Sequence, residues 1–173
     1  RAYRYQSGGA EALTALAIFE AGGNTKTTKF RTMLERLSKR APERTASRAL
    51  RTMVYARREE SYRSPFSADV RWLIRAQRND GGWGETPEAT SSNLFDSALA
   101  LIALGSANRQ GVDVPQSLWD STKRFLVSAQ NPDGGYGYEP PMKNRTRLRG
   151  LSHGSATAAA AVMWAVLIDQ NQM

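Results

Sequence analysis

Cysteine is absent from the 173 residues, and histidine occurs once, as His153. Disulfides and thiolate-based zinc sites are therefore excluded, and the compartment is left open. Long apolar runs are missing as well. The richest stretch, Ala156 to Ile168, falls short of the roughly 18 residues a membrane span needs and reads as a buried helix. No alternating apolar–polar run is bounded by hairpin turn residues, which argues against strands. Acidic residues are scarce: 16 Asp and Glu stand against 24 Lys and Arg, giving a formal net charge of +8. Arginines such as Arg36, Arg40, Arg44, Arg48, Arg51, Arg57 and Arg58 crowd the first half. A basic surface attracts polyanions, but no nucleic-acid motif accompanies the charge. A solvated helix face is the expectation, and nucleic acid is not an expected partner. The first residue is Arg1, which reads as the mark of a processed or trimmed chain.

Against these absences, 40% hydrophobic and 23% charged residues give an ordinary globular balance, enough for one domain over residues 1–173. An internal repeat is the strongest signal. VRWLIRAQRNDGGWG at Val70–Gly84 returns as KRFLVSAQNPDGGYG at Lys123–Gly137, so that Gln77 matches Gln130 and Trp83 matches Tyr136 at an offset of 53. Hydrophobic spacing predicts seven helices, at roughly 9–21, 27–40, 44–58, 66–78, 93–106, 116–130 and 154–169. Those at 66–78 and 116–130 have one apolar stripe and a charged back, as outer helices do. Those at 9–21, 93–106 and 154–169 are apolar or small nearly all round, as enclosed helices are. The alternation predicts two concentric helical layers in an all-α fold. The helices at 27–40 and 44–58 are both amphipathic.

The Gln-x-x-Asp-Gly-Gly-Trp/Tyr-Gly segments resemble the QW repeats of the prenyltransferase and squalene-oxidase repeat group, within the terpenoid cyclase and protein prenyltransferase superfamily. The resemblance is clearest over residues 66–170 and is nearest to bacterial members of unassigned role. It implies a partial α/α-toroid of about seven helices. It also implies a structural role for Gln77, Gly81, Gly82 and Trp83, and for Gln130, Gly134, Gly135 and Tyr136. In such a role the Gln ends an outer helix and satisfies backbone groups there, the glycines make the turn, and the ring covers the joint.

Cyclases of this superfamily protonate their substrate with an Asp-x-Asp-Asp-Thr-Ala motif at the head of an inner helix. Here that position reads Asn93-Leu94-Phe95-Asp96-Ser97-Ala98. Phe95 stands where the acid would be, and only Asp96 survives. The matching stretch after the second copy, Gly154-Ser155-Ala156-Thr157-Ala158, has no acid. The zinc ligands of prenyltransferases are also missing. Asp96 and His153 are thus the catalytic candidates, each with a plainer reading as a helix-cap residue. Trp83, Phe95, Tyr136, Tyr138 and Trp164 are candidate ligand contacts. Arg145, Arg147 and Arg149, in a Pro-started basic loop beside His153, are candidates for an anionic group. Asp80, Glu85 and Glu88, and Asp133 with Glu139, are weaker candidates for a cation; no metal or cofactor is otherwise expected.

These observations lead to the expectation of a non-catalytic toroid module that binds an apolar or anionic ligand, or a protein, in its concave centre. Two alternatives stand beside it. One is an enzyme without the usual acid motif, acting on an isoprenoid chain in a cavity ringed by Phe95, Trp164, Met163 and Trp83, or on a polysaccharide in a cleft with Tyr136, Tyr138, Asp96 and His153. The other is a polyanion binder. A half barrel exposes apolar flanks, so the chain is expected either to pair with a second copy or to be completed by the other half of a toroid.

Overall fold

The computed structural model describes residues 8–57, 62–138 and 151–171. Among them the fold is all-α, with seven helices: α1 (Gly9–Glu20), α2 (Thr28–Lys39), α3 (Thr45–Ala56), α4 (Arg63–Ala76), α5 (Leu94–Arg109), α6 (Gln116–Ala129) and α7 (Gly154–Asn171). No described helix is long and apolar enough to cross a membrane.

Two layers follow from which helices touch. α1 packs on α3, α3 on α5, and α5 on α7, making one continuous row. α2 lies against α1, α4 against α3 and α5, and α6 against α7, making the second layer. Small residues allow the row to close up: Ala12, Ala15, Ala49, Ala100, Ala103 and Ala160 are all fully buried. Larger apolar residues of the outer helices, Leu34, Leu73 and Phe125 among them, fill the space between the layers. Leu or Phe burial of this kind is worth about 1.5–3 kcal/mol per side chain.

The membership of α3 in the inner row is a finding that its charged sequence hides. The expected solvated arginine face is wrong for Arg48 and Arg51, which are buried. Arg51 donates from Nε and Nη2 to the two oxygens of Asp69 on α4, at 2.7 and 2.6 Å. Its Nη1 donates to the carbonyls of Leu37 and Arg40 at the end of α2, at 2.8 and 3.0 Å. Arg48 Nη1 adds a third bond to Asp69, at 2.8 Å, while its guanidinium lies 4.6 Å from the centre of the Trp72 ring. One buried carboxylate and two arginines thus tie α2, α3 and α4 together. Burial beside this cluster pushes the Tyr55 hydroxyl up to about 12, against the opposing pull of Arg51.

Candidate functional site at the heads of the inner helices

Both copies of the repeat build the same joint. Gln77 is the residue after α4, in extended backbone at φ −60° and ψ 130°; Gln130 after α6 is alike, at −70° and 132°. Each side-chain amide turns back on its own turn, Gln77 Nε2 to the Gly81 carbonyl at 3.0 Å and Gln130 Nε2 to the Gly134 carbonyl at 2.9 Å. Asp80 accepts from the Gly82 amide and the Ser92 hydroxyl, and Asp133 from the Gly135 amide and the Ser152 hydroxyl. Those bonds hold the Asp133 carboxyl below the usual carboxylate range, the Ser152 hydroxyl being the main cause. The amide of Trp83 donates to Ser97 at 2.8 Å, and that of Tyr136 to Thr157 at 3.1 Å. Each turn is thereby hung on the first turn of the following inner helix.

At the head of α5, Asn93 is the cap. Its Oδ1 accepts from the Asp96 amide at 2.8 Å and its Nδ2 donates to Asp96 Oδ2 at 2.6 Å. This reciprocal pair satisfies one of the donors that a helix start leaves unpaired. The Asp96 carboxyl is nearly buried. Burial raises its pKa above the ordinary value, outweighing the bonds from Asn93 and the Ala46 amide and the charge of Arg44.

Asp96 and Phe95 line a cleft of about 420 Å³ between the heads of α1, α3 and α5. Leu13 and Leu50 give it apolar walls, and the Arg44–Glu85 ion pair stands at its polar side. Phe95 is 58% exposed, so its ring is free to meet a ligand. Leu13, Arg44 and Leu50 were missed by sequence reasoning. Only Leu50 left a signal, the run Arg48-Ala49-Leu50 that stands at the helical position of Ser97-Ala98-Leu99; Leu13 and Arg44 left none.

Other expected site residues fall differently. Trp83 is wholly buried, with its indole N–H on the Leu73 carbonyl at 2.8 Å, and offers no surface to a ligand. Met163 is equally enclosed. The expected ring of Phe95, Trp164, Met163 and Trp83 around one cavity therefore does not occur, because two of the four point into packing. Tyr136 is buried too, its hydroxyl accepting from Trp164 Nε1 at 3.1 Å. Tyr138 is half-exposed, bonded through its hydroxyl to Ser155 at 2.7 Å, with its ring 5.2 Å from that of His153. Its carbonyl accepts from the Leu94 amide, which links the heads of α5 and α7. His153 is exposed and occupies the place that Asn93 has in the first copy, its amide bonded to Tyr136 as that of Asn93 is to Trp83. The cation expectation fails for Asp80, Glu85 and Glu88: among the described residues no cluster of three metal-ligating side chains forms, and Glu85 is spent on Arg44. Arg145, Arg147, Arg149 and Glu139 lie outside the described residues.

The described residues form an all-helical, two-layered fold with a carboxyl-bearing apolar cleft at one end of its inner helices. Part of the chain is similar to terpenoid-forming enzymes. It is 40% identical over 68 residues to a drimenyl diphosphate synthase of Streptomyces showdoensis, which is 39% of this chain and 12% of the relative. It is 37% identical over 71 residues to a drimenyl diphosphate synthase of Streptantibioticus cattleyicolor, 41% of this chain and 12% of that relative. The matched stretch thus spans about an eighth of the length of each curated relative. No family model matches the chain. The similarity is consistent, over part of the chain, with the terpenoid cyclase superfamily. It overturns the expectation of a non-catalytic binding module, because both relatives are named as synthases.

Proposed function

We propose that the chain is one helical repeat domain, an arc of an α/α-toroid, in a terpenoid-cyclase-like enzyme that acts on an isoprenoid chain. The single observation that carries the reading is the cleft at the heads of α1, α3 and α5, where a nearly buried carboxyl with raised proton affinity sits beside an exposed phenyl ring. A cyclase of the superfamily the sequence resembles delivers a proton to an alkene from this end of an inner helix. Asp96 is one position later than the usual acid, and Phe95 takes the acid's own place. In this reading Asp96 gives its proton to a terminal alkene carbon of the substrate. The next double bond adds to the cation so formed, which closes a ring and moves the positive charge to a new carbon; loss of a proton from an adjacent carbon to solvent then leaves an alkene, and solvent returns a proton to Asp96. Leu13, Leu50 and Phe95 offer apolar contact to the isoprenoid chain, and the phenyl face favours the cation electrostatically.

A series of linear isoprenoid diphosphates of increasing length, incubated with the chain and analysed by gas chromatography–mass spectrometry after dephosphorylation, tests this. A cyclised product is expected with the wild type and is expected to vanish with Asp96→Asn. No cyclised product from any member of the series, or product undiminished in Asp96→Asn, would overturn the assignment.

A further inference from the structure

The inner helices do not need a carboxyl to start. α1 begins after Gly8 and α3 after Arg44, each with no side-chain hydrogen bond to its first turn. At the head of α7 the places of Asn93 and Asp96 are taken by His153 and Ala156. That head is still seated on its turn, by the Tyr136 amide on Thr157 and the His153 amide on the Tyr136 carbonyl. The head of α5 has the same two bonds, from the Trp83 amide to Ser97 and from the Asn93 amide to the Trp83 carbonyl. The side-chain pair of Asn93 and Asp96 is therefore additional to what the joint requires.

Only one bond of that pair belongs to capping. Asn93 Oδ1, accepting from the Asp96 amide at 2.8 Å, caps the helix. Asn93 Nδ2, donating to Asp96 Oδ2 at 2.6 Å, satisfies no backbone group. It is directed at a carboxyl that is 6% exposed and lines the cleft. An N–H held on one carboxyl oxygen makes that oxygen the carbonyl of the acid form, so the proton sits on the other. When the proton leaves, the bond from Nδ2 becomes charge-assisted and strengthens. An interaction that strengthens as a reaction proceeds lowers its barrier. We propose that Asn93 is a positioning residue for proton delivery, its amide occupying Asp96 Oδ2 and leaving the proton on Oδ1. The inference rests on the reading of Asp96 as the acid. As the alkene π pair forms the new C–H bond, the O–H pair stays on Oδ1, and Nδ2 stabilises the carboxylate. Asn93 opposes the burial that raises this carboxyl's pKa, and the Ala46 amide and the Arg44 charge pull the same way. The other ionisable groups at the cleft, Arg44 and Glu85, pair with each other, and α1 contributes Gly9, Ala10 and Leu13, none of which ionises. Toward α7, the Tyr138 hydroxyl is bonded to Ser155 and its ring lies beside His153.

Two variants test it. Asn93→Gly removes the donor and leaves a residue that helix starts tolerate; Asn93→Asp keeps the cap oxygen and replaces the donor with an acceptor. Carboxyl-carbon NMR, with the Asp96 signal assigned by its loss in Asp96→Asn, reads the titration of Asp96 without any substrate. Its midpoint is expected to rise in both variants, further in Asn93→Asp. With the isoprenoid diphosphate that the wild type cyclises, Asn93→Gly is expected to turn over about tenfold more slowly at unchanged KM. The fall in its rate on the alkaline side is expected to move to higher pH. A residue that only caps would lower the melting temperature in Asn93→Gly and leave the titration and the pH profile in place. That result overturns the proposal, as does full turnover in Asn93→Gly. If the wild type cyclises no diphosphate, the reading of Asp96 as an acid fails by itself. The titration then decides whether Asn93 directs the proton, and an unmoved midpoint in Asn93→Gly overturns that as well.

Discussion

The turn at 77–84 and the turn at 130–137 share their hydrogen bonds, but among the described residues only the first has an outer helix in front of it. Gln77 Nε2 reaches beyond its own turn to the Leu118 carbonyl and the Thr122 hydroxyl of α6, at 3.1 and 3.0 Å. Gly81 abuts the same helix: with φ at +91°, a Cβ there would stand 2.1 Å from the Ser121 carbonyl oxygen. At Gly134, φ is +82° and a Cβ would meet nothing within 4 Å. The motif therefore has two separable functions. It ends an outer helix, which needs only its own residues, and it seats the next outer helix, which needs a partner. Among the described residues the second copy performs the first task alone.

The largest effect that can sharpen this contrast is at the glycines. Gly81→Ala combines a left-handed backbone with a collision against backbone of α6, and is expected to cost about 3–5 kcal/mol. Gly134→Ala meets only the conformational term and is expected to cost about 1–2 kcal/mol. Urea midpoints of the two variants check the difference; equal losses would break the comparison. Next come the glutamines. Gln77→Ala strips a donor shared by two elements and is expected to cost about 2 kcal/mol, against about 0.5–1 kcal/mol for Gln130→Ala. Melting temperatures of both, measured side by side, decide it.

The smallest effect concerns acid. Asp133 has a folded pKa below its ordinary value, so the stability it gives is present above the ordinary carboxylate range and is lost as pH falls toward the lowered value. Asp96 has the opposite sign: its folded pKa is raised, so its contribution is greatest below the ordinary value and declines as pH rises toward the raised one. Thermal melts between about pH 3 and pH 6 are expected to fall less steeply on the acid side in Asp133→Asn. In Asp96→Asn the decline on the neutral side is expected to shrink. Parallel curves for the two variants would contradict the opposite environments of these carboxyls.

Much of this architecture was legible from spacing. The seven helices, the turn after each Gln, and the enclosed character of α5 follow from local pattern, because a helix face and a glycine turn are properties of neighbouring residues; α7, expected to be enclosed as well, instead leaves Ala158, Ala161, Ala165 and Ile168 exposed, because its apolar composition does not record which neighbours it has. The cleft was not legible, since Leu13 on α1, Arg44 and Leu50 at the start of α3, and Phe95 with Asp96 on α5 converge from three helices, and no spacing records where three helix heads meet. Trp83 misled for a related reason. A large aromatic beside a Gly-Gly turn fits a ligand contact or a joint equally well, and only the Leu73 carbonyl within reach of its indole settles which. Arg48 and Arg51 show the strongest conflict. Charge on a helix reads as solvent exposure, and the compensating Asp69 stands 18 residues beyond Arg51 on another helix.

That Asp69 cluster also bears on how the protein can change. Helices that meet only through apolar ridges can be re-registered by a turn when side chains on both sides are exchanged. The joint of α2, α3 and α4 works more like a keyed shaft: a displacement of α4 by one turn, about 5.4 Å, would carry the carboxylate away from both guanidinium groups and strand charge in the interior. Inheritance of this corner is therefore all or nothing, whereas cleft residues on α1 and α5, Leu13 and Phe95 among them, stand outside the cluster and are free to be exchanged one at a time.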